Sequence, residues 1–284
     1  MDQSTQHSLE LTAARARQLL LQAVYNAGCG HPGGSLSICD ALSVLYFRKM
    51  RISPENPHDP DRDRFVLSKG HGAPALYAIL SLRGYFGADE VLSFRQIGSR
   101  LSGHPDMNKT PGVDMSTGSL GQGVSAAVGM ALAGKLDGKD YRVYTILGDG
   151  EIEEGQVWEA AMAAAKFHLD NLCAAVDVNG LQIDGTTDEV MPSGPLDAKF
   201  AAFGWHVIHV DGHDVAALDA AYDEAAQVRG KPTMLLLHTV KGKGVSFMEN
   251  NVEWHGKAPN AEQYAIAAGE LAARVRELEG TENG

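Results

Sequence analysis

The sequence predicts an α/β fold, a doubly wound parallel sheet with helices on both faces. Two observations carry this expectation. Short apolar runs alternate with segments of helical periodicity along most of the chain, the pattern of strand–helix–strand units. The runs LCAAVDV and TMLLLHTV have almost no polar alternation, so they belong to strands covered on both faces. At 284 residues and 44% hydrophobic, the chain can bury a large core. With no internal repeat and no break in composition, 1–284 is expected to form a single domain with an N-terminal helix and a C-terminal helical tail.

Leu9 to Ala27 carries apolar residues at helical spacing and stops at Gly28, which marks an amphipathic helix ended by glycine. GCGHPGGS must then be a loop, and Leu36 to Met50 a second helix. Ser53 to Arg64 is a proline-punctuated connector. Phe65 to Leu67 reads as a short buried strand, followed by the turn SKGHGA and a helix over Pro74 to Tyr85. Gly98 to Gly112 is loop, and STGSLGQG opens an Ala-rich helix to about Leu136. Strands are expected at Tyr141 to Leu147, Leu172 to Val178, Trp205 to Val210 and Thr233 to Val240. Helices are expected at Val157 to His168, Val215 to Val228 and Asn260 to Leu278.

Composition narrows the partners. The 24 Lys and Arg against 36 Asp and Glu give a formal charge of −12, which argues against nucleic acid or an anionic membrane as the main partner. Cys29, Cys39 and Cys173 are odd in number and form no CxxC pair, as suits a reducing compartment. No apolar window is long enough for a membrane span or a signal peptide, so a cytoplasmic protein is expected.

In parallel sheets, ligands bind where the strands end. Two such ends match each other: GDGEIEEG follows the strand YTIL, and VNG follows LCAAVD. Asp149 offers a carboxylate at one end and Asn179 an amide oxygen at the other. The intervening 151–178 is the length of one helix and one strand. Either dipeptide alone reads as a common turn, but the spaced pair is a sparse oxygen cage. Mg²⁺ accepts such a cage when phosphate oxygens complete its shell. Gly148 and Gly150 let the backbone approach the implied diphosphate, aided by amide N–H groups and the start of the next helix.

With GHPGGS (Gly30–Ser35), SKGHG (Ser68–Gly72), GHP (Gly103–Pro105), STGSLGQG (Ser116–Gly123) and WHGKAP (Trp254–Pro259), the chain resembles the N-terminal, diphosphate-binding half of transketolase. The resemblance runs from about Leu9 to Pro259. It implies the thiamine diphosphate-binding fold, with Mg²⁺ or another divalent ion such as Ca²⁺ or Mn²⁺ held by Asp149, Asn179 and the Leu181 carbonyl. Gly150, Asn179, His71 and His255 would meet the cofactor, with Gly118 and Leu120 at its aminopyrimidine. His31, His71, His104 and His255 would serve the reacting centre, because imidazole exchanges protons near neutral pH. Glu154 would face a subunit interface.

The activity implied is transfer of a two-carbon ketol unit from a ketose phosphate to an aldose phosphate, in carbohydrate and pentose phosphate metabolism. The sequence ends where full-length relatives continue into a pyrimidine-binding domain. The expectation is therefore an N-terminal subunit of a split transketolase, working with a separately encoded C-terminal subunit in an α2β2 heterotetramer. The alternatives are a subunit of another thiamine diphosphate enzyme, such as a deoxyxylulose-phosphate synthase or a 2-oxo acid dehydrogenase, and a non-catalytic cofactor-binding module. Outside these motifs, Lys241 and Lys243 read as solvated cations, and His206, His209 and His213 as structural or surface residues. Gly70 to Ala75 fits a dinucleotide fingerprint, but no second strand precedes an acidic partner, so a nicotinamide site is not expected.

Overall fold

The computed structural model describes residues 1–281; the last three residues of the expected polar tail, 282–284, lie outside the described residues. Among the described residues five strands form one sheet: β1 (Arg64–Leu67), β2 (Val143–Gly148), β3 (Leu172–Val178), β4 (His206–Asp211) and β5 (Thr233–His238). Every neighbouring pair is parallel, in the order β1-β2-β3-β5-β4. The register brings Gly148 opposite Asp177 and Val178 opposite His238. The carboxyl ends of β2, β3 and β5 therefore lie side by side.

Alternate residues of the central strands enter two separate cores, as a sheet buried on both faces requires. Tyr144, Ile146, Cys173 and Ala175 join helices α1 (Gln3–Ala27) and α2 (Ala73–Arg83) on one face. Val143, Leu147, Ala174 and Val176 join α3 (Gln122–Leu136) and α4 (Gly155–Lys166) on the other. Helix α5 (Val215–Gln227) backs the first face. Helix α6 (Ala261–Thr281) lies against α1, where Tyr25 and Tyr264 stack with ring centroids 4.0 Å apart. No helix among the described residues is long and apolar enough to cross a membrane.

Most expected elements are present, β3 with the boundaries expected and the others with boundaries moved by up to six residues. The expected helix over Leu36 to Met50 is instead broken into Gly33–Leu36, Cys39–Val44 and a π turn at Leu45–Lys49. The break falls where the Ser37 hydroxyl turns to Gly34 O and Asp177 Oδ2, a side-chain bond that competes with helical geometry. β5 ends two residues early: Thr239 N–H still reaches Val178 O of β3 at 3.2 Å, but Val240 N–H leaves the ladder for His213 Nε2 at 2.9 Å. Short helices at Ala88–Val91, Thr187–Val190 and Leu196–Ala202 were not expected.

Candidate active site

The loops following β1, β2, β3 and β5 converge with the loops around His31, His104, Gly118 and His255 on one cavity of about 330 Å³. All ten residues singled out in the sequence line it: His31, His71, His104, Gly118, Leu120, Asp149, Gly150, Asn179, Leu181 and His255. Glycines make the convergence possible. A Cβ on Gly70 would lie 2.7 Å from Gly118 N, and one on Gly118 would lie 3.2 Å from the His104 ring. The SKGHG, GHP and TGSLGQG loops are thus packed backbone to backbone or backbone to ring.

At the β2 and β3 ends, Asp149 is buried. Its Oδ1 accepts from Gly150 N at 2.9 Å, and its Oδ2 from Asn179 N at 2.9 Å and Gly180 N at 2.6 Å. Burial, and then the neighbouring Asp177 carboxylate, still push its pKa up to about 6. The Lys69 ammonium and the backbone amides offset only part of this, so a carboxylate so placed favours an added cation. Asn179 donates through Nδ2 to Asp177 at 2.9 Å, which leaves Oδ1 as its acceptor, bonded only to the Leu181 N–H at 3.1 Å. The Leu181 carbonyl accepts from Lys241 Nζ at 3.0 Å.

Lys241 corrects the sequence reading. It is 2% exposed rather than solvated, and its ammonium reaches His255 Nδ1 at 3.1 Å as well as Leu181 O. Burial lowers its pKa to about 8. A lysine in VKGKG carries no mark of burial in its own neighbourhood; the loops that enclose it come from elsewhere in the chain. Lys243 is partly exposed, 3.9 Å from Glu249.

Sequence reasoning also missed three buried charged groups. Lys69 donates to Gly34 O and Asp177 Oδ2, both at 2.6 Å. Asp177 further accepts from Ser37 Oγ at 2.8 Å and from the Thr239 hydroxyl. Burial opposes its charge, yet the Lys69 ammonium and these hydroxyls hold its pKa below the usual carboxylate range. Glu151 accepts from Ser68 Oγ at 2.6 Å, Gly121 N at 2.8 Å and Gly148 N at 3.0 Å, clamping three site loops together. The available signal was the acidic residue inside GDGEIEEG and the lysine inside SKGHG. Glu154 is exposed beside Gly121.

The four histidines form one cluster. Ring centroids are 5.5 Å apart for His31–His71 and His31–His255, 5.1 Å for His71–His255 and 6.1 Å for His31–His104. Burial lowers all four pKa values, to about 4 for His31 and about 3 for His255, with neighbouring cations adding to the effect. The rings are neutral at pH 7, so each offers one N–H donor and one lone-pair acceptor. His31 Nδ1 is buried without a hydrogen-bond partner, an atom that awaits a ligand. His213, by contrast, bridges Asp40 and Val240 N–H. His206 pairs with Glu224, and His209 with His238, away from the cavity.

Comparison with known proteins decides the family. The family described as "Transketolase, thiamine diphosphate binding domain" matches residues 9–273. The chain belongs to the transketolase family. It is 51% identical to the 6-deoxy-6-sulfo-D-fructose transketolase subunit SqwG of Clostridium sp. (strain MSTE9), covering 94% of this chain and 97% of that protein. It is 44% identical to an apulose-4-phosphate transketolase subunit of Phocaeicola vulgatus, over 98% of both. The Campylobacter jejuni transketolase structure superposes with a TM-score of 0.88 at 32% identity, over 99% of this chain but 48% of that one. The chain likewise spans 41% of human transketolase, to which it is 44% identical over 90% of its own length. It is thus a transferase subunit of the N-terminal transketolase type, carrying the thiamine diphosphate-binding domain.

The residues present fit such a cofactor. Among the described residues no three His, Cys, Asp or Glu side chains could hold a metal. A divalent ion at Asp149, Asn179 and Leu181 would need further oxygens, which a diphosphate supplies. The under-compensated Asp149 and the orphaned His31 Nδ1 ask for the two ends of the same ligand, a cation–phosphate head and a polar reacting end.

Proposed function

We propose that this chain supplies the diphosphate half of a two-subunit transketolase that moves a two-carbon ketol unit between sugar phosphates. The observation that carries the reading is the convergence of all the signature loops on one cavity with a charged end and a histidine end. In this reading 1–284 acts as a single cofactor-binding domain in the cytoplasm, within pentose phosphate or related carbohydrate metabolism. A C-terminal subunit contributes the pyrimidine-side residues, and exposed Glu154 meets a neighbouring subunit in an α2β2 heterotetramer. The relatives' names support anionic sugar substrates.

Asp149, Asn179 and the Leu181 carbonyl would hold Mg²⁺, or Ca²⁺ or Mn²⁺ in its place. Gly150, His71 and His255 would face the diphosphate, with the Lys69 and Lys241 ammoniums balancing its charge. Gly118 and Leu120 would meet the aminopyrimidine. Thiamine diphosphate, when bound, supplies the nucleophilic carbon and the electron sink for carbon–carbon cleavage. The protein's part is to move protons on sugar oxygens and to exclude water. Neutral His31 and His104 can each accept a proton from a hydroxyl or hydrogen-bond a carbonyl oxygen on which charge develops. The nearby cations that disfavour imidazolium also favour an oxyanion beside it.

The test is reconstitution. This chain mixed with candidate C-terminal partners, Mg²⁺ and thiamine diphosphate should transfer ketol units from a ketose phosphate only in the mixture. Turnover by the isolated chain, or a preference for pyruvate as donor, would overturn the reading.

A further inference from the structure

The loop that delivers Lys241 to the cavity is gripped from outside it. β5 ends at His238, and Gly212 of the loop after β4 is seated on that end, where a Cβ would lie 2.4 Å from Thr239 Cγ2. The seat brings His213 against the next turn of chain, and Val240 N–H donates to its Nε2 at 2.9 Å. Lys241 follows directly, with its ammonium on Leu181 O and His255 Nδ1.

Hydrogen-bond roles fix the His213 ring. A backbone N–H can only donate, so Nε2 holds a lone pair and the ring's proton sits on Nδ1. Nδ1 donates it to Asp40 Oδ2 at 2.8 Å. Asp40 is buried and takes both ends of the Arg17 guanidinium, Nη1 on Oδ1 at 3.1 Å and Nη2 on Oδ2. Burial opposes the Asp40 charge, yet Arg17 and then His213 hold its pKa below the usual carboxylate range. The imidazole therefore leans on an ion, which holds its orientation more firmly than a neutral acceptor would.

The other end of this row returns to the same lysine. Arg17 Nε donates at 3.1 Å to the carbonyl of Leu36, the last residue of the short helix that begins at Gly33. A Cβ on Gly33 would lie 3.2 Å from Lys241 Cγ, and Gly33 O accepts from Gly242 N at 3.0 Å. Lys241 is thus held on one side through His213 and on the other through Gly33, with Arg17 and Asp40 joining the two. None of Arg17, Asp40 and His213 lines the active-site cavity. Their effect passes through Lys241 to a ring that does. An ammonium can only donate, so His255 Nδ1 is the lone-pair nitrogen and Nε2 carries the proton.

We propose that His213, oriented by Asp40 and Arg17, is a positioning residue that places the Lys241 ammonium and thereby selects the His255 tautomer protonated on Nε2. Its bearing on thiamine diphosphate binding rests on the transketolase reading above and deepens it.

Two experiments test it. Long-range proton–nitrogen NMR spectra of the full chain, assigned with His213→Gln and His255→Gln, should show His213 protonated on Nδ1 and His255 on Nε2. A proton on His213 Nε2 would overturn the proposal from the parent protein alone. In His213→Leu, where nothing accepts from Val240 N–H, the His255 nitrogens should shift toward a mixture of tautomers. In His213→Gln, whose amide oxygen is as many bonds from the backbone as Nε2, and in the control His206→Leu, they should stay as in the parent. Unmoved His255 resonances in a folded His213→Leu chain would overturn the proposal, because a merely structural histidine would leave that tautomer alone. In the reconstituted complex with Mg²⁺, calorimetric affinity for thiamine diphosphate should fall about 10- to 100-fold in His213→Leu and stay within about 3-fold of the parent in His213→Gln. Equal losses in the two variants would likewise overturn it. The expected tautomers in a chain whose complex binds no thiamine diphosphate would uphold the positioning row and sink the transketolase reading instead.

Discussion

Lys69 Nζ stands 2.6 Å from Asp177 Oδ2, and both side chains are sealed from solvent. The pair reaches from the loop after β1 across to the end of β3. Lys69 also holds Gly34 O, and Asp177 holds Ser37, Thr239 and Asn179. One buried ion pair therefore fixes four site segments relative to one another. Removing one partner of such a pair strands the other charge, at about 3–5 kcal/mol. Asp177→Ala should lower stability by that amount in urea denaturation. Because Asn179 loses the acceptor that orients its amide, calorimetry should also show cofactor affinity falling about 10- to 100-fold.

Asp149 should behave in the opposite way. Its charge is opposed by burial and by Asp177, so it costs the empty fold stability while serving the ligand. Asp149→Asn removes the charge and keeps one acceptor oxygen for the Asn179 and Gly180 amides, at the loss of the Gly150 N–H bond. It should leave the urea midpoint within about 1 kcal/mol of the parent while abolishing the Mg²⁺-dependent part of thiamine diphosphate binding. Retained metal-dependent affinity in calorimetry would remove Asp149 from the ion site.

How far the sequence reached follows from the range of each interaction. Glycine-bounded loops after apolar strands were legible because turn chemistry and strand burial are local properties, and they led to Asp149 and Asn179, whereas the four histidines were reached through the resemblance of their motifs to transketolase. Lys69 and Lys241 were not, because a lysine's burial is decided by partners distant in sequence. Asp177 lies 108 positions from Lys69. The same holds for the broken helix at Ser37, whose hydroxyl meets Asp177 140 positions away. Strand order was equally hidden: nothing local tells β5 to insert between β3 and β4.

Gly70 should tolerate no side chain. A methyl group would sit 2.7 Å from Gly118 N and 2.8 Å from the Thr117 carbonyl carbon, atoms of a backbone that cannot rotate away. Gly70→Ala should push the TGSLGQG loop outward, costing about 1–3 kcal/mol. Thiamine diphosphate affinity should weaken with it, since Gly118 and Leu120 line the cavity. A variant with parent-like melting temperature and affinity would show that the two loops move freely.

His104 borders the cavity away from the ion site, so its loss should separate turnover from cofactor binding. In the reconstituted complex His104→Ala should reduce kcat about 10²- to 10⁴-fold, the usual contribution of a proton-transfer residue. Calorimetric affinity for thiamine diphosphate should change less than about 3-fold. If the chain only holds cofactor for a partner, kcat would be unaffected.

The histidine cluster should also set the acid limit of the empty protein. His31 and His255 titrate near 4 and 3 in the fold, against 6.5 ordinarily, with burial the largest cause. The unfolded chain therefore takes up their protons first. Stability from these two groups is complete above pH 6.5 and is lost as pH falls from there toward 4. Asp149 works the other way, because its pKa is raised from 3.8 to about 6: the fold gains stability as this carboxylate protonates between pH 6 and 4. Two imidazoles outweigh one carboxylate, so the urea midpoint of the metal-free chain should fall between pH 6.5 and 4. In the double variant His31→Asn/His255→Asn only His71 and His104 still oppose the Asp149 contribution, so the midpoint should fall less than the parent's over the same interval. A parent-like fall in the double variant would place the acid sensitivity outside His31 and His255.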